Sequence, residues 1–262
     1  MKKILCVAAL LVIAFSCQKE QENPVSSPVS KQVLDQISAL GFSTQNVIRL
    51  EDGYLVEGDI VLNDRDFSRG VNKRILRIAE SEQYRTTNLV TSPRVITISV
   101  ASNLPDIFVT ATDEAINRYN AENLSITFQR VRTGADIQMV KSNFLEQNTF
   151  LASAGFPSAN GAPYHRIKIS TNQFGGQPMG TIVSVLAHEI GHCIGFRHTD
   201  FMDRSYSCNG APVNEGASNI GAVHIDGTPT TPDAGSWMLS CISSQEDRPF
   251  NSNDKIALDF LY

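Results

Sequence analysis

His188-Glu189-Ile190-Gly191-His192-Cys193-Ile194-Gly195-Phe196-Arg197-His198 decides how the rest of this chain is read. Histidines at i and i+4 on a helix lie on the same face, so His188 and His192 can reach one metal ion while Glu189 projects beside them toward water at that ion. Gly195 lets the chain leave the helix. A third ligand at His198 requires that exit, because a continuing helix would carry position 198 away from the metal. Three neutral ligands leave the fourth zinc position open, and an open position beside a carboxylate suits amide hydrolysis: the ion lowers the pKa of a water to about 7 and Glu189 takes its proton. Three of the five histidines fall inside this segment. The expected cofactor is therefore one catalytic Zn2+, held by His188, His192 and His198.

Working downstream, Ser236-Trp237-Met238-Leu239-Ser240 follows a Gly/Pro/Thr-rich stretch, and the thioether of Met238 would give the ligand set an apolar, non-coordinating floor. The long form His-Glu-x-x-His-x-x-Gly-x-x-His, with this methionine turn, resembles the metzincin metallopeptidases. The literal string His188 to His192, closed by Arg197-His198-Thr199-Asp200, resembles the bacterial dual-action HEIGH metallopeptidases within them. That resemblance implies an α+β fold: a mixed twisted sheet, an active-site helix, a helical and loop-rich lower subdomain carrying the Met-turn, and a small N-terminal module. It also implies a protein or peptide substrate. Ser240 stands where astacins, a metzincin subgroup, carry a tyrosine two residues after the methionine, which counts against an astacin-like fifth ligand and not against the zinc site.

A chain of 262 residues can bury a substantial core, and its net charge of −5, without basic clusters interleaved with aromatics, argues against nucleic acid as a partner. Lys2 and Lys3 precede an unbroken apolar run from Ile4 to Phe15, long enough for a signal-peptide core and too short to span a bilayer. Ala14-Phe15-Ser16-Cys17 resembles a relaxed bacterial lipobox, with Cys17 lipidated after cleavage; ordinary signal-peptidase cleavage is the alternative. The expected layout is a lipoprotein signal over 1–17 and a flexible tether over 18–30. An export route of this kind places the protein at the outer membrane or cell surface, held by its lipid, or else secreted.

Residues 31–91 read as a leading module and 92–262 as the catalytic domain. In the module, Val33, Leu34, Ile37 and Leu40 lie on one face of a helix ending at Gly41, followed by an extended apolar segment from Gly53 to Leu62 that Gly58-Asp59 interrupts. Leu55-Val56-Glu57-Gly58-Asp59-Ile60 resembles the astacin pro-segment motif, which implies that Asp59 is an inhibitory zinc ligand occupying the open position. A Gly-Asp bulge in an accessory strand is the plainer reading. Arg65, Arg69, Lys73, Arg74, Arg77 and Arg85 offer processing sites, or simply a solvated face.

In the catalytic domain, Arg94 to Val100 alternates as a first strand, and Pro105 to Asn120 is an apolar-faced helix. Leu124–Val131 and Ala135–Val140 read as strands joined tightly through Arg132-Thr133-Gly134, and His165–Ser170 as the edge strand along the cleft. The active helix starts near Gly180-Thr181, and a last helix starts at a Ser252 cap. Cys208 and Cys241 bracket the loop before the methionine and form the favoured disulfide, with Cys193 to Cys208 competing. Asp200 either bonds a zinc histidine or caps its turn, and His224 is read as a surface or pocket residue. A rival from another class, a surface binding or adhesion lipoprotein that keeps the zinc fold without turnover, leaves the intact Glu189 without a purpose.

Overall fold

Isoleucines at every second position build the central sheet. The computed structural model describes residues 28–68, 83–174, 176–216, 221–229 and 231–262; the apolar N-terminal run with Cys17, and Arg69, Lys73, Arg74 and Arg77, lie outside them. In chain order the elements are α1 (Lys31–Ala39), β1 (Ile48–Leu50), β2 (Gly53–Val56), β3 (Ile60–Leu62), α2 (Asp64–Ser68), β4 (Tyr84–Arg85), β5 (Arg94–Val100) and α3 (Asp106–Asn120). They continue with β6 (Ile126–Arg130), β7 (Ile137–Lys141), β8 (Ala152–Ser153), β9 (Arg166–Ile169), α4 (Met179–Ile194), α5 (Ser205–Cys208), β10 (Val223–His224) and α6 (Ser252–Leu261).

The main sheet runs β6-β5-β7-β9-β8, parallel except for β8 against β9. Ile96, Ile98, Ile126, Phe128, Ile137, Met139, Ile167 and Ile169 bury one face of it in a core shared with Phe108, Ala111, Ala115, Ile116 and Tyr119 of α3 and the apolar side of α4. Each such side chain contributes about 1.5–3 kcal/mol when fully removed from water. Two sequence expectations change here. β6 and β7 are not a hairpin: both run parallel to β5 and flank it, so Arg132-Thr133-Gly134 is part of a crossing connection rather than a tight antiparallel turn. The strand at 166–169 is interior, and the two-residue β8 takes the edge.

The leading segment folds as a second, smaller sheet in the order β1-β2-β3, antiparallel throughout, over Ile37, Leu40, Phe42, Val56, Ile60 and Leu62. The stretch Gly53–Leu62 is therefore a hairpin and not one extended run. Glu57 (φ 59°) and Gly58 (φ 98°) both occupy the left-handed region that a tight hairpin turn needs, and Asp59 is delivered at the far end of the turn. From there the chain joins the main sheet. Ile60 bridges Ala154 in parallel, Ala154 N–H donates to Asp59 O at 3.0 Å, and Val61 N–H donates to Ala154 O at 2.8 Å. On the other face of the main sheet, Lys168 pairs with Asp52 and, at 3.0 Å, with Glu146.

Residues from Gln83 to Val90 pack in the main body. β4 pairs with β10, Thr86 N–H donates to Gly195 O at 2.7 Å, and Val90 lies in the main core. Gln83 Nε2 donates to Asp254, whose carboxylate also accepts the N–H groups of Trp237 at 3.2 Å and Asn251 at 2.9 Å. Asn251, not Ser252, caps α6, closing a capping box with Asp254: asparagine accepts from the free N–H groups as well as serine does, one position earlier. Among the described residues, no helix is long and apolar enough to cross a membrane.

Candidate metal centre

Helix α4 is buried from Thr181 to Ile194, so its chemistry-bearing side chains face the protein interior and a cleft beside it rather than bulk water. It stops at Gly195, which sits at φ 119° and sends its N–H back to the carbonyls of Gly191 and His192. A side chain there would also collide with Leu89 Cδ2 at 2.8 Å and Asn88 O at 3.0 Å. The turn that follows returns His198 to the two helical histidines: ring centroids lie 4.6 Å apart for His188 and His192, 4.8 Å for His192 and His198, and 5.3 Å for His188 and His198.

Each imidazole is held by its Nδ1. His188 Nδ1 donates to Trp237 O at 2.9 Å, His192 Nδ1 to Phe196 O at 2.9 Å, and His198 Nδ1 to Glu215 at 2.9 and 3.2 Å. In neutral rings that assignment leaves the Nε2 atoms as the positions open to a metal ion. Two of them, on His192 and His198, face each other at 3.2 Å, so a proton or a metal ion must lie between them. His188 Nε2, Glu189 Oε2 and Asp59 Oδ1 are buried with no hydrogen bond. Asp59, His188, His192 and His198 each bring a ligand atom within 4.8 Å of the others, so the donor set fits a single metal ion. A second group of that kind, Glu57, His198 and Glu215, shares His198 and already surrounds the Arg197 guanidinium, which takes the cation's place.

Asp59 completes the cluster from the leading hairpin. Its Oδ2 is 3.1 Å from His198 Nε2 and 3.4 Å from His188 Nε2. Burial works against its charge, but the histidines outweigh that and hold its carboxyl well below the usual range. Glu189 is pushed well above the usual carboxylate range, first by burial and then by the neighbouring charge of Asp59. Burial and the other two imidazoles keep His192 well below an ordinary histidine, hence neutral and able to coordinate. A cavity of about 200 Å³ opens beside His188 and Glu189, walled by Val185, Leu151, Trp237 and Ile242.

Met238 is fully buried against Gly191 of α4, and Thr199 N–H donates to its carbonyl at 2.9 Å. Gly191 of α4 makes the approach close: a Cβ there would meet Met238 Sδ at 2.6 Å and Trp237 Nε1 at 3.2 Å. Gly191→Ala is expected to lower stability by about 1–3 kcal/mol through overpacking, read as a lower urea midpoint at unchanged m. Cys208 and Cys241 are joined in a disulfide across 33 residues, a loop closure worth ~4 kcal/mol in chain entropy, and Cys193 is a buried free thiol.

Three residues take places that sequence reading left open or missed. Asp200 is hydrogen-bonded to serines and not to the three clustered histidines; it accepts from Ser240 N and Oγ and from Ser207 Oγ, tying the turn after His198 to the segment after Met238. His224 lies on β10, bonded to Thr228, away from the cluster. Glu215 is the residue missed: it is fully buried, in a loop without periodicity, yet it bonds His198 directly. The signal available was indirect, since Arg197 and Arg204 bracket His198 and two such cations need a buried acid; both reach Glu215, at 3.6 and 3.1 Å.

Comparison with known families matches residues 55–262 to the dual-action HEIGH metallo-peptidase family. Among curated proteins none matches in sequence. Solved structures similar to the chain include two of myroilysin: one has 12% identity and a TM-score of 0.40 over 64% of this chain and 79% of that one. The other has 13% identity and a TM-score of 0.40 over 64% and 83%. High choriolytic enzyme 1, a hatching enzyme zinc-protease from Oryzias latipes (medaka fish), has 23% identity and a TM-score of 0.27 over 40% of this chain and 44% of that one.

Proposed function

Because the chain belongs to the dual-action HEIGH metallo-peptidase family, and is thereby a zinc metallopeptidase acting on peptides or proteins, we propose that it is an endopeptidase worked by the cluster at the end of α4. His188, His192 and His198 would hold the ion; the observation that carries this is the three Nε2 atoms converging with every Nδ1 already spent. When bound, zinc supplies Lewis acidity, polarising a carbonyl oxygen and acidifying water. Glu189 takes the proton from the attacking water at Oε2, the oxygen left without a partner, and returns it to the departing amine. Ser236–Ser240 is the Met-turn: Trp237 O fixes His188, and Met238 floors the site. The wall of Val185, Leu151 and Trp237 excludes water around the scissile amide.

The leading module keeps this chemistry latent. Asp59 lies where a fourth donor would sit, and residues 59–61 bond Ala154 just past the edge strand β8, where an extended substrate would otherwise add a strand. Gln83 to Thr91, with their buried contacts, belong to the enzyme that remains, so the removable module ends before Gln83 rather than at position 91. The N-terminal residues support export, with Cys17 as a lipid anchor.

Metal analysis with peptide-library cleavage tests the reading. The chain is expected to carry one zinc, and His192→Ala none. Cleavage between residues 69 and 82 followed by dissociation of the module is expected to release peptidase activity. Zinc with no turnover on any peptide after that release would favour a binding protein instead.

A further inference from the structure

Two of the three histidines are oriented by backbone carbonyls, which the fold provides whatever the side chains are. His198 differs. It lies beyond the helix, after the Gly195 turn, and its Nδ1 meets only the carboxylate of Glu215, at 2.9 Å to Oε1 and 3.2 Å to Oε2. We infer that Glu215 is a positioning residue for the reaction, fixing the tautomer and ring angle of the third metal ligand; this rests on His198 being such a ligand. A carboxylate acceptor makes a shorter and stronger bond to an imidazole N–H than a neutral group does, and it increases the basicity of the opposite nitrogen.

Glu215 is suited to the task because it cannot move. It is fully buried, its backbone N–H donates to Phe201 O at 2.7 Å, and Arg204 Nε and Arg197 Nη2 stand at 3.1 and 3.6 Å. Ser240 Oγ approaches Oε1 at 3.4 Å from the segment just past Met238. Arg197 is itself packed between the rings of Phe42 and Phe201, with centroids at 5.1 and 5.5 Å. The serine in the place of the astacin tyrosine thus faces the group that orients His198.

The test is zinc affinity of the full chain by chelator competition, with the visible absorption of the cobalt-substituted chain as a second signal. Glu215→Ala is expected to weaken zinc binding about 10–100-fold and to shift the cobalt bands, and the isosteric Glu215→Gln to do so several-fold less. In a His198→Ala background the Glu215 effect is expected to vanish, since the carboxylate acts through that ring. Unchanged zinc affinity in Glu215→Gln and in folded Glu215→Ala, with His198→Ala still weakening it, would overturn this inference alone. No loss of affinity in His198→Ala would instead remove the reading of His198 as a ligand. Should Glu215→Ala not fold, the glutamine variant decides: several-fold weaker binding supports the role, and wild-type binding overturns it.

Discussion

Glu189→Gln is expected to leave one zinc per chain and to lower kcat/KM of the released enzyme by about 10²–10⁴, the usual size of a general-base contribution. The substitution keeps the side-chain volume at a buried position on α4, so the fold and the three histidines are unaffected, while the amide cannot accept a proton. The buried Oε2 has no other duty to lose, as no hydrogen bond within the protein engages it. Single-turnover peptide cleavage at equal zinc occupancy is the measurement. A variant cleaving at the wild-type rate would remove Glu189 from the mechanism.

Asp59→Ala, made in the uncleaved chain, is expected to raise peptidase activity about 10–100-fold with zinc occupancy unchanged. Its carboxylate reaches two of the three histidines, at 3.1 and 3.4 Å, so its loss clears the position beside the Nε2 atoms. The gain has a ceiling: a module that leaves the site open about 1% of the time can release no more than roughly 100-fold when fully displaced. It also stays below that ceiling, because the bridge from Ile60 to Ala154, the Glu57 contact to Arg197 at 3.5 Å and the Asp52 pairing with Lys168 hold the module after the plug has gone. Equal activity of variant and parent, both loaded with zinc and both uncleaved, would count against latency through Asp59.

What could be read from sequence was what one continuous segment encodes. His188, Glu189, His192 and Gly195 are set by helical period and a single left-handed residue, and His198 by the turn that residue permits. Core strands were legible from alternation, as at Ile96 and Ile98. Pairing was not, because the pattern of β6 and β7 states which face is buried and says nothing of the neighbour; β5 came between them. The hairpin at Glu57-Gly58 was hidden by a glutamate in a left-handed conformation, which side-chain preferences do not foretell. Glu215 escaped for a related reason. Its role depends on where a patternless loop returns in space, and only the two arginines that need it left a mark in the sequence.

The shortest strand of the fold bears on handling as much as on catalysis. β8 has only two residues, Ala152 and Ser153, and beyond it the backbone groups of Ala154 are spent on Asp59 and Val61. Whatever clears the cleft strips those partners away and leaves an open sheet margin beside an apolar wall, the kind of surface on which a second chain can lengthen the sheet. On the proposed latency, the contact that covers this margin is one of those that also hold the module over the site. On that proposal, the form able to cut peptides would also be the form most exposed to self-association and to cutting its own kind.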